Sequence, residues 1–235
     1  MKTFLKAEWK NIIMANYEMD ASLLTPFLPK GTELDDFNGK TYISLVGFLF
    51  KDTALFGIPI PYLGTFEEIN LRFYVTRRVN GEIRRGVVFI NETVPNRWIA
   101  FVANKLYKEH YTAVPTKHYM DENGMKINYL WKVHNEWNYI EVETEKESTA
   151  IQKNTIEEFI YEHYFGYTKL DMGRSLEYKI YHTSWKTRPV RSYKIHCDFA
   201  NFYGESFRCL NDMKPHSVLI AEGSDVRVDW KRNQF

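Results

Sequence analysis

With 44% hydrophobic and 16% aromatic residues, a chain of 235 residues can bury a sizeable core, which excludes an intrinsically disordered protein. Lys and Arg number 31 against 30 Asp and Glu, so the formal charge is +1 and there is no basic excess for a nucleic-acid backbone. Two cysteines, Cys197 and Cys209, lie outside any CxxC spacing; they exclude a disulfide framework, read as buried small hydrophobes and suit a cytoplasmic location.

The opening MKTFLKAEWKNIIM breaks its apolar residues with charges and has no small-residue cleavage site, so it does not read as a secretory signal. No apolar run approaches the roughly 20 residues of a membrane span, and no membrane partner is expected. Asp20 caps a short helix predicted to run through Leu28, stopped by Pro29 and Gly31. Asn38-Gly39 then joins TELDDF to KTYISLVGFLF as a hairpin. The run Lys40 to Phe50 is apolar on both faces beyond Tyr42, as a covered central strand requires. Asn80-Gly81 joins FEEINLRFYV (66–75) to EIRRGVVFINET, with Arg77, Arg78, Arg84 and Arg85 as a solvated tip. PNRWIAFVANKLYK, 95–108, carries Trp98, Val102 and Leu106 at fourfold spacing and predicts a helix. A third hairpin joins AVPTKHYM to MKINYLWKVH, and WNYIEVET follows. Thr155 and Glu158 form a capping box opening a helix over IEEFIYEHYF, with Gly166 as its stop. SLEYKIYH, RSYKIHCDF, HSVLIA and DVRVDWK complete the strands. No Gly-, Ser- or Pro-rich linker divides the chain, so residues 1–235 read as a single domain, mainly β (α+β), antiparallel, with about three peripheral helices.

FEEINLRFYV splits cleanly at every second position. Ile69, Leu71, Phe73 and Val75 fall on one face, and Glu68, Asn70, Arg72 and Tyr74 on the other. A two-residue turn at Asn80-Gly81 fixes the register, setting Tyr74 opposite Val87, Arg72 opposite Phe89, Asn70 opposite Asn91 and Glu68 opposite Thr93. On the other face it sets Phe73 opposite Val88 and Leu71 opposite Ile90. A polar row that shares its face with Phe89 and Val87 suits a lined interior, although alternating polar residues on such a sheet more often face water.

FEEINLRFYV resembles the F-x-E-[LI]-N-x-R-x-Y-V segment of the YqjF-like bacterial proteins of the acetoacetate-decarboxylase-like superfamily. LLTPFLPKGTELDDFNGKTYISLVGF, NKLYKEHYT, YHTSW and PHSVLIAEGSDVRV resemble other parts of that family in order. The resemblance implies a curved, closed β-barrel-like core with helices outside and a central cavity. It also implies a comparison with Schiff-base decarboxylation, which needs a lysine pair in the pocket. Where the pair would stand, this chain has Tyr111 and Thr112; Lys105 and Lys108 are near in sequence but at a helix end. The resemblance also implies that Glu68 stands for the acidic residue beside the reactive lysine of that enzyme.

Other chemistries lack their motifs. GESF at 204–207 misses the last glycine of a nucleophile elbow, and the seven histidines have no metal-ligand spacing, so neither metal nor cofactor is expected. Glu-His-Tyr occurs at 109–111 and again at 162–164, and His182 and Trp185 fall at a strand end near a cavity mouth. Two readings follow. In the first, a barrel cavity lined by Glu68, Asn70, Arg72, Tyr74 and Phe89 binds a small anionic or carbonyl-containing metabolite, with Arg72 as the anion grip and Glu68 orienting it. In the second, an enzyme acts on a small oxo-acid, with Glu68 as acid or base assisted by Tyr111 or a lysine (Lys105 or Lys108). Exposed β-edges and surface aromatics also suit a homodimer.

Overall fold

The computed structural model describes residues 3–60, 64–170 and 173–235. In chain order the strands begin with β1 (Thr3–Glu18), β2 (Glu33–Leu34), β3 (Tyr42–Leu55), β4 (Ile58–Pro59), β5 (Phe66–Val79) and β6 (Glu82–Val94). There follow β7 (Tyr111–Ala113), β8 (Thr116–Met120), β9 (Lys126–Val133), β10 (Glu136–Thr144) and β11 (Thr149–Ala150). The last are β12 (Phe165–Lys169), β13 (Ser175–His182), β14 (Lys186–Thr187), β15 (Val190–His196) and β16 (Ser217–Gln234). Four short α-helices interrupt them among the described residues: α1 (Ala21–Leu24), α2 (Arg97–Tyr107), α3 (Ile156–Tyr161) and α4 (Phe199–Tyr203). None of the described helices is long and apolar enough to cross a membrane.

The strands β1, β3, β5, β6, β12, β13 and β16 follow one another in the large sheet, and β16 pairs back onto β1. The sheet thus curves into a closed ring of hydrogen bonds. Its pairings are antiparallel except where β12, and outside the ring β7, run parallel to β6. A second sheet, ordered β15-β10-β9-β8, covers one flank.

This arrangement gives FEEINLRFYV two different burial environments. Ile69, Leu71, Phe73 and Val75 are fully buried outside the ring, where they share a core with Ile127, Tyr129, Trp131, Ile140 and Val142 of the covering sheet. Glu68, Asn70 and Arg72 point to the ring interior and are no more than 8% exposed. The neighbouring strand β3 has the same division, with Val46, Phe48 and Phe50 inward and Ile43, Leu45 and Leu49 outward. The covering sheet approaches so closely that a Cβ on Gly47 would lie 3.0 Å from the Tyr129 ring. That contact explains a glycine in the middle of a central strand.

Several elements depart from the sequence reading. Glu33–Leu34 pairs with β5, not across Asn38-Gly39, whose turn is held by the single bridge between Phe37 and Lys40. The helix opened by Thr155 stops at Tyr161, because Phe165–Lys169 is captured as a ring strand beside β6 and β13. Gly166 is therefore a strand residue, with Tyr178 packed over it. HSVLIA and DVRVDWK form one long strand, and α4 occupies the end of the segment read as RSYKIHCDF, capped by Asp198. Arg77 and Arg84 are not a solvated tip: both pair with the buried carboxylate of Glu177, at 2.9 and 2.6 Å, and Arg85 pairs with Asp35. Cys197 is buried as expected, whereas Cys209 is exposed on a 3-10 turn.

Candidate functional site

The interior of the ring holds a cavity of about 270 Å³. Most of its wall is apolar, supplied by Phe48, Phe50, Phe66, Leu55 and Val228 from the strands and by Ile99 and Val102 from α2. Polar side chains also line it: Glu68, Asn70, Arg72, Glu92, Glu109, Tyr111 and Tyr178, with Thr53 on β3.

The register of β5 against β6 builds this polar patch. From the turn to Arg72 the pairing is that of an uninterrupted hairpin, with Tyr74 opposite Val87, Phe73 opposite Val88 and Arg72 opposite Phe89. Between Leu71 and Arg72 the register shifts, because β6 carries one extra residue: Leu71 pairs with Asn91, leaving Ile90 as the bulge. Beyond it Asn70 stands opposite Glu92, not Asn91, and Ile69 opposite Thr93. The bulge turns a glutamate into the cavity where an unbroken ladder would have placed an asparagine. On the far side β7 pairs in parallel and sets Tyr111 beside Glu92, so Asn70, Glu92 and Tyr111 form a row across three strands.

Tyr111 is fixed by its backbone. Asn104 of α2 donates to the Tyr111 carbonyl at 2.9 Å and accepts from its N–H at 2.6 Å. Asn91, displaced by the bulge, donates to the carbonyl of His110 at 2.6 Å and to Thr112 Oγ1 at 2.8 Å. Lys108 ends α2 in the left-handed region (φ 59°) and turns the chain so that Glu109 enters the interior. One oxygen of Glu109 there accepts from Thr168 Oγ1 at 2.6 Å and from the Tyr178 hydroxyl at 3.0 Å.

The carboxyl of Glu68 accepts from Asn70 Nδ2 at 3.1 Å and from the Tyr111 hydroxyl at 3.3 Å. Burial pushes it up to about 7, against the pull of those two donors and of Arg72. Burial likewise raises Glu109 to about 7, and burial with the Glu109 and Glu68 charges holds Glu92 well above the usual carboxylate range. Arg72 has a different environment: its terminal nitrogen donates to the Met14 sulfur at 3.6 Å, its guanidinium lies 5.9 Å from the centre of the Tyr74 ring, and its Nε has no hydrogen-bond partner among the described residues. Asn70 Oδ1 and Glu92 Oε2 are also buried and without a hydrogen-bond partner among the described residues.

Of the residues singled out in the sequence, Glu68, Asn70, Arg72, Phe89 and Tyr111 come together around the cavity. Tyr74 lies beyond it in a packed region, its hydroxyl 2.7 Å from Ser44 Oγ and its ring 4.7 Å from that of His163. Lys105 and Lys108 are exposed and do not line the cavity; Lys105 lies over the Phe101 ring at 5.7 Å. Trp185 lines the wall, with His182 stacked on it at 4.4 Å. Glu92 and Glu109 were not expected in the cavity from the sequence. An unbroken ladder assigns Glu92 to the opposite face, and the run Lys108-Glu109-His110 looks like a solvated loop.

The closed ring has the fold of the acetoacetate decarboxylases. The structure aligns with acetoacetate decarboxylase from Legionella pneumophila at a TM-score of 0.66 and 13% identity, covering 96% of this chain and 85% of that one. An acetoacetate decarboxylase-like enzyme from Sphingomonas wittichii gives 0.66 at 11% identity, covering 100% and 94%. The enduracididine biosynthesis enzyme MppR, complexed with pyruvate, gives 0.66 at 11%, covering 100% and 91%. At these identities the likeness is one of fold. The chain belongs to the DUF2071 family, described as "uncharacterized conserved protein", whose model matches residues 6–225. The uncharacterized protein YqjF of Bacillus subtilis (strain 168) is 28% identical over 133 residues, 56% of this chain and 52% of that one, so the match spans about half the length of this curated relative.

Proposed function

We propose that the chain binds, inside the ring, a small molecule that joins an apolar body to a carboxylate or carbonyl head. The observation that carries this reading is Arg72, a cavity-lining guanidinium only 8% exposed, with an unpartnered Nε and no carboxylate on it among the described residues. A buried cation is costly unless compensated, and a two-oxygen anion is the partner that fits a guanidinium in two-point fashion. Phe89 and the apolar wall supply the rest of the contact area. The fold neighbours support the same class, since one is named for acetoacetate and another was solved with pyruvate.

The test is thermal stabilisation of the full chain by carboxylic and oxo acids of up to about ten non-hydrogen atoms. Binding should raise the wild-type Tm, and Arg72→Ala should abolish the shift while the apo protein still folds. Equal stabilisation of wild type and Arg72→Ala would remove the guanidinium from the site.

A second reading rests on Glu68, whose carboxyl at about 7 beside the Tyr111 hydroxyl suits proton transfer at neutral pH. In it, Glu68 takes a proton from the carbon next to the carbonyl of a bound oxo acid. Exchange of the C3 protons of 2-oxo acids in deuterium oxide would report this step, and Glu68→Gln should abolish it.

A further inference from the structure

The polar patch is not a plain anion cradle. Asn70 donates its amide N–H to Glu68 Oε1 at 3.1 Å, and this contact orients the side chain. Its Oδ1 is left without a donor among the described residues although Asn70 is only 1% exposed. Two positions along the same strand face, Arg72 Nε is left without an acceptor. A buried acceptor and a buried donor therefore stand open side by side in the lining of one cavity. Each forfeits a hydrogen bond unless the occupant supplies its complement. A plain carboxylate or oxo acid can satisfy Arg72, but an ionised one has no proton for Asn70. A hydroxyl does.

Size narrows the class further. At about 30 Å³ for each water-sized group, 270 Å³ holds at least about nine non-hydrogen atoms. Lactate and pyruvate, with about six, would leave the apolar wall of Phe48, Phe50 and Phe66 in contact with empty space. Resting on the reading that Arg72 grips an acid head, we propose that the ligand is a medium-chain hydroxy acid: its carboxylate meets Arg72, its hydroxyl donates to Asn70 Oδ1, and an apolar tail of several carbons fills the rest. Glu92 Oε2, buried on the neighbouring strand and without a hydrogen-bond partner among the described residues, is a further polar atom open to the occupant.

Isothermal titration calorimetry of the full chain with matched six-carbon acids tests this. Hexanoate, 2-oxohexanoate, 2-hydroxyhexanoate and 3-hydroxyhexanoate differ only in the head, and lactate tests the tail. At least one hydroxyhexanoate should bind about tenfold or more tightly than hexanoate and 2-oxohexanoate, and more tightly than lactate. In Asn70→Leu, which keeps the bulk and removes the acceptor, the ratio of hydroxy acid to hexanoate should fall to about one. Equal binding of all the six-carbon acids to the wild type would overturn the hydroxyl assignment and leave the acid-binding reading standing. Failure of every acid to bind would overturn both. Should Asn70→Leu not fold, the wild-type series still decides.

Discussion

Replacing Glu68 with Gln should raise the stability of the protein at alkaline pH and leave it nearly unchanged at acid pH. The carboxyl is 3% exposed, and burial lifts it from 4.5 to about 7 in the folded chain. At 1.36 kcal/mol for each factor of ten in proton affinity, ionising it inside the ring costs roughly 3 kcal/mol. The folded state holds the proton more tightly than the unfolded chain, so the associated stability is fully present below pH 4.5. It is lost as pH rises through 7. Gln cannot ionise and so escapes that loss. It can still accept from the Tyr111 hydroxyl, and Asn70 can turn its amide over to accept from the new one. Urea unfolding of wild type and Glu68→Gln at pH 4 and pH 8 measures the effect: nearly equal stabilities at pH 4, and a variant more stable by roughly 3 kcal/mol at pH 8. Parallel pH profiles for the two proteins would show that Glu68 does not titrate in this window and would refute the buried-carboxyl account.

Gly166→Ala would place a Cβ 2.1 Å from Cζ of Tyr178, so the ring that reaches Glu109 must move; a loss of about 1–3 kcal/mol in urea unfolding is expected, and wild-type stability would show that the packing there is loose. Gly81 has φ +85° with nothing near its Cβ direction, so Gly81→Ala should cost only conformational strain, about 1 kcal/mol, read as a small fall in Tm. Borohydride reduction in the presence of 2-oxo acids should leave the chain's mass unchanged, because no lysine lines the cavity among the described residues. A covalent adduct on Lys105 or Lys108 would revive the Schiff-base route.

The period-two alternation of FEEINLRFYV determined that Glu68, Asn70 and Arg72 share a face, because successive strand side chains alternate whatever lies around them. Asn80-Gly81 determined the register near the turn, and the pairs from Tyr74 to Arg72 follow it. Alternation is silent about what covers either face. That was decided by ring closure of β16 onto β1 and by the second sheet packed over Gly47, contacts between segments far apart in sequence. The same limit explains the missed glutamates. A bulge adds one residue to one strand, leaves no composition signal of its own and moves every later side chain to the other face, which is how Glu92 reached the cavity. Glu109 needed the left-handed turn at Lys108 and the buried partners Thr168 and Tyr178, which only the assembled ring supplies. Local periodicity thus wrote the two faces of the strand, and long-range pairing decided which of them became the wall of a site.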